Sequence, residues 1–109
     1  MGYTYKITVN RKRYPKKYIA LIQEMQTLCM NIYKCLIEAN RLQLHIDTDK
    51  KERLQLQTKA VAYCDELSCF VELSMNFNLI DGNTVEYWQK KISDIKYMTI
   101  AWRTKDKSR

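Results

Sequence analysis

One proline and two glycines are all that punctuate these 109 residues. An all-β fold needs many tight turns, so this scarcity argues against one. Histidine is scarcer still, with His45 alone. It lies near a helix end beside Asp47 and Asp49 and reads as a solvated loop side chain. There is no glycine-rich phosphate loop and no H-E-x-x-H metal motif. Asp65, Glu66 and Glu72 fall on polar helix faces and read as solvating charge. These absences leave no nucleophile–base pair and no metal cluster, so the sequence predicts a protein that is not an enzyme and uses no cofactor or metal.

The four cysteines, Cys29, Cys35, Cys64 and Cys69, contain no C-x-x-C pair. Each sits in a helical pattern beside apolar residues and is expected as a small core side chain. That usage fits a reducing, cytoplasmic compartment. No apolar run approaches the roughly 18 residues of a membrane span, and the start lacks a signal-peptide core.

The chain does have hydrophobic residues, at 46%, and they are periodic. Its length suits one domain, burying roughly 65% of the unfolded surface. After Pro15, the residues Tyr18, Leu21, Met25, Leu28, Ile32, Cys35 and Ala39 recur at spacings of three and four. Ile22, Cys29 and Leu36 widen that stripe. A first long helix is therefore expected from Pro15 to about Leu44. A second spans about Lys50 to Asn78, with Thr48 or Asp49 as N-cap and Val61, Cys64, Leu67, Val71 and Met75 as its stripe. The segment 78–83 turns the chain, and Asn83 or Thr84 caps a third helix carrying Val85, Trp88, Ile92, Ile95, Thr99 and Trp102. Three such helices with short connections predict an all-α, antiparallel up-and-down bundle. The first ten residues differ. Tyr3, Tyr5, Ile7 and Val9 alternate with polar residues as in a strand. The favoured expectation is an extended arm against the bundle or a neighbour; the alternatives are pairing with another chain or a short fourth helix forced by tertiary contacts.

Charge is concentrated at the ends. Residues 1–17 carry Lys6, Arg11, Lys12, Arg13, Lys16 and Lys17 with no acid, and residues 103–109 carry Arg103, Lys105, Lys107 and Arg109 against Asp106. The segment 18–102 sums to −2. The sequence thus reads as one bundle, 1–109, with a basic arm over 1–13 and a basic tail over 104–109. Such ends either raise solubility or contact nucleic acid or an acidic membrane. Tyr3, Tyr5 and Tyr14 interleave with the front cations, a mixture suited to single strands. Arg41, Lys50, Lys51 and Arg53, around the first inter-helix connection, should add a smaller patch far from Lys16 and Lys17. Three wide apolar stripes in so short a chain offer surplus apolar surface, which predicts a homo-oligomer.

Tyr14-Pro15, the run Leu36-Ile37-Glu38-Ala39-Asn40, Lys51-Glu52-Arg53, Asp65-Glu66-Leu67, and Leu79-Ile80 leading to Trp88 and Trp102 follow one another in a recognisable order. Across about residues 14–103 the chain resembles the accessory variability determinant family of diversity-generating retroelements. The broader relatives of that family are four-helix proteins encoded by intervening sequences in 23S ribosomal RNA genes. The resemblance implies a small, basic four-helix bundle assembling as a pentamer, without activity of its own. Its implied partners are a reverse transcriptase and template RNA or RNA/DNA, and its implied role is support of cDNA synthesis for mutagenic retrohoming. The alternatives are a helical protein–protein scaffold and an intervening-sequence protein with no retroelement role.

Overall fold

A computed structural model describes residues 2–10 and 14–109. Four α-helices follow in order: α1 (Gly2–Thr8), α2 (Ile19–Arg41), α3 (Asp47–Asn76) and α4 (Gly82–Lys107), with a single 3-10 turn, Lys16–Tyr18, leading into α2. There is no strand among the described residues. Helix α3 packs along both α2 and α4, and α1 packs on α2. The result is an antiparallel bundle measuring 49 × 22 × 17 Å.

The predicted stripes form the core. Ile22, Met25, Leu28 and Ile32 of α2 meet Cys64, Leu67 and Val71 of α3 and Val85, Trp88 and Ile92 of α4. Farther along, Cys35 and Ala39 pack with Leu56 and Ala60 under the partly buried Leu36 and Trp102. Burial of this apolar surface is the main driving force for the fold.

Of the expectations for the N-terminal segment, the favoured extended arm gives way to the short fourth helix. Thr4, Ile7 and Thr8 share one face at helical spacing, and all three are buried. Trp88 Nε1 donates to Thr4 Oγ1 at 2.7 Å, and Gln26 Nε2 donates to Thr8 Oγ1 at 2.9 Å. The threonines count as polar in a hydropathy pattern, yet here they accept bonds from α4 and α2. A strand would put Ile7 opposite Thr4 and Thr8, and only a helical turn brings all three to one side. Tertiary contacts therefore override the two-residue alternation.

Two caps also differ from expectation. Helix α3 starts at Asp47, with Ile46 as an N-cap that makes no side-chain bond. Asp47 and Asp49 lie in the first turn, where the helix dipole favours negative charge. Helix α4 is capped by Asp81, whose Oδ1 accepts from Thr84 N at 2.7 Å. Asn78, at φ 59°, closes α3, with Asn78 N donating to Met75 O and Leu79 N to Ser74 O. That pair is the Schellman pattern, for which Asn tolerates the left-handed conformation. Finally, the basic tail over 104–109 is mostly helix, since α4 runs to Lys107.

Candidate nucleic-acid interface

The cations at the two ends take different local roles. The α3 start and the α4 finish meet at one end of the bundle, where Lys50 Nζ donates to Arg109 O at 2.9 Å. The first-connection patch and the C-terminal cations, separate in sequence, therefore form one group. Residues 41–59 and 103–109 together hold nine basic and four acidic side chains.

Within that group Arg53 is not free to contact a ligand. Its Nε donates to Asp106 Oδ2 at 2.8 Å, its NH1 to Leu42 O at 3.0 Å, and its guanidinium lies 4.8 Å from the Trp102 ring centroid. Gln57 Nε2 donates to the same Asp106 oxygen at 2.7 Å. Asp106 is fully buried and the Arg53 side chain is 11% exposed. Burial alone would push the Asp106 carboxyl up. Bonds from Arg53 and Gln57, with the charges of Arg53 and Arg109, outweigh it and hold the carboxyl below its ordinary value. Arg53, expected as a phosphate contact, is a structural cation instead, because the register of α3 against α4 gives it a buried partner.

Lys51, Lys105, Lys107, Arg109 and Arg41 are exposed. Arg103 is half-buried and donates from Nε to Leu54 O at 3.3 Å. It lines a shallow cleft of about 570 Å³ with Lys51, Leu54, Gln55, Thr58 and Lys59. Three cations, an amide and a hydroxyl around one cleft suit an anionic oxygen cluster such as a backbone phosphate. Lys59 is the member that sequence reasoning missed. Its spacing of eight from Lys51 on one helix was a legible signal, but Arg103 joins them only through packing.

At the opposite end, Lys6 is exposed on α1, and Lys17 is exposed with Nζ 5.3 Å from the Tyr18 ring centroid. The backbone of Lys16 opens the 3-10 turn. Arg11, Lys12 and Arg13 lie outside the described residues. Tyr14, expected among the stacking aromatics, is fully buried with its ring edge-on to Trp88 at 6.4 Å. It is a core residue.

Cys29, Cys35 and Cys64 are buried as expected, whereas Cys69 is exposed. Burial pushes the Cys64 thiol up to about 11, so it is protonated at neutral pH and packs as a small apolar group. His45 is exposed. Among the described residues no cluster of His, Cys, Asp and Glu could hold a metal ion, and no helix is long and apolar enough to cross a membrane. No family model, curated protein or solved structure matches the chain.

Proposed function

We propose that this chain is a non-catalytic, nucleic-acid-binding accessory subunit of a retroelement reverse transcriptase, acting in the cytoplasm and supporting cDNA synthesis for mutagenic retrohoming. The observation that carries nucleic-acid binding is the grouping of exposed cations at both ends of a 49 Å rod, with Lys51, Lys59 and Arg103 sharing one cleft. The retroelement context rests on the resemblance over residues 14–103. Exposed Met30, Tyr33, Ile37 and Met98 support association into a homo-oligomer, for which the resemblance favours a pentamer. Those same side chains favour a second reading, a protein–protein scaffold whose basic ends serve solubility.

Changing Lys51, Lys59, Lys105 and Lys107 together to Gln separates the two readings, because none of these carries the buried Arg53–Asp106 contact. RNA affinity in about 100 mM salt should fall at least tenfold, about 1.4 kcal/mol. Unchanged RNA affinity with a folded bundle would favour the scaffold.

A further inference from the structure

A second group of side chains, absent from the charge argument, lies where α1 meets the start of α4. Tyr3 stands edge-on to Tyr87, with centroids 5.0 Å apart at 79°, and edge-on to Trp88 at 6.0 Å and 85°. Trp88 is fully buried and bonded to Thr4, so the ladder is anchored in the core. Its outermost ring, Tyr87, is 52% exposed. Lys91 Nζ lies 4.8 Å from the Tyr87 centroid and 5.8 Å from that of Tyr3.

We infer that the braced, half-exposed Tyr87 ring, with the Lys91 ammonium over it, is a stacking platform for an unpaired base of a single-stranded nucleic acid. The inference rests on the nucleic-acid reading above and adds to it the kind of strand bound. A half-exposed aromatic ring braced by Tyr3, which itself rests on buried Trp88, loses little freedom when a base stacks on it. The platform lies at the end that carries Lys6, Lys16 and Lys17. There, Tyr18 and the exposed Phe77 form another ring pair, 5.6 Å apart at 30°. Bases in a duplex are already stacked and cannot reach such a ring.

The local charge separates this contact from general attraction. Lys90 and Lys91 are balanced on the same stretch of α4 by Glu86 and Asp94, all four exposed. Stacking on Tyr87 therefore contributes an affinity that salt hardly screens, unlike the cationic ends. Tyr97 is the internal control. It is more exposed, at 62%, yet its ring meets only Lys96, at 5.5 Å, and no other aromatic among the described residues.

The test is fluorescence anisotropy with a labelled single-stranded RNA of about 20 nucleotides and the matching duplex, comparing wild type, Tyr87→Ala, Tyr87→Phe and Tyr97→Ala. Tyr87→Ala should weaken single-strand binding at least fivefold, about 1 kcal/mol, while duplex binding stays within about twofold. Tyr87→Phe and Tyr97→Ala should bind as wild type does. Unchanged single-strand affinity in folded Tyr87→Ala overturns the platform, as does an equal loss on duplex. A changed sedimentation coefficient in place of a changed affinity also overturns it, by making the cluster a subunit contact. The variant with Arg11, Lys12, Arg13, Lys16 and Lys17 changed to Gln tells the two failures apart. If it loses affinity while Tyr87→Ala does not, the cationic interface stands and the platform falls. If wild type binds neither RNA, both fall.

Discussion

Arg53 and Asp106 show how a side chain's role changes between sequence and fold. In the sequence Arg53 is one more cation beside Lys50 and Lys51, and Asp106 is the lone acid of a basic segment. In the bundle they form a buried pair with Gln57, 2.8 and 2.7 Å from one carboxylate oxygen. Removing one partner leaves a buried charge uncompensated, which is costlier than removing both. Asp106→Asn should therefore destabilise the bundle by about 2 kcal/mol in urea unfolding, the modest size reflecting a last turn that can fray. The double change Arg53→Met with Asp106→Leu should recover most of that loss. The pH dependence follows from the lowered carboxyl. Asp106 contributes its full stabilisation above the unfolded carboxylate value of about 3.9 and loses it as pH falls through its lower folded value. The stability gap between wild type and Asp106→Asn should thus hold constant from neutral pH down to about pH 5 and close only in stronger acid. A gap that closes near neutrality would contradict this account.

At the scale of elements, the long helices are the legible part of the sequence. Spacings of three and four among Met25, Leu28, Ile32, Cys35 and Ala39 place all five in the core, because amphipathic period is a property of the chain itself. What was not legible depends on partners distant in sequence. The alternation over Tyr3, Tyr5, Ile7 and Val9 is genuine, but Trp88 and Gln26 reach the hydroxyls of Thr4 and Thr8 from two other helices. The α4 cap is Asp81 rather than the expected Asn83 or Thr84, and only backbone geometry selects it. Helix α1 depends on its docking, since seven residues are too few for an independent helix. Ile7→Asp should release it, shifting tryptophan emission to the red as Trp88 meets water, with little change in total helicity. Unaltered emission would show that α1 does not cover Trp88 in the way described.

The whole molecule is a rod, and outside residues 1–17, 41–59 and 103–109 its chain sums to −4. Residues 1–17 carry +6, and the joined group of 41–59 and 103–109 carries nine cations against four acids. The net charge at each end was legible in composition. Which cations are free was not, because Arg53 is spent on Asp106 and Lys59 joins Lys51 and Arg103 only across the α3–α4 contact. Free cations matter through counterion release, which makes salt dependence the most direct readout of the interface. The decisive measurement is the slope of log affinity for RNA against log salt concentration, for wild type and for the variant with Arg11, Lys12, Arg13, Lys16 and Lys17 changed to Gln. Each phosphate contact on a single strand contributes about 0.7 to that slope. The cationic-interface account predicts a steep wild-type slope that flattens by about 2 or more in the variant, as three or more contacts are lost. Identical slopes for the two proteins would contradict it.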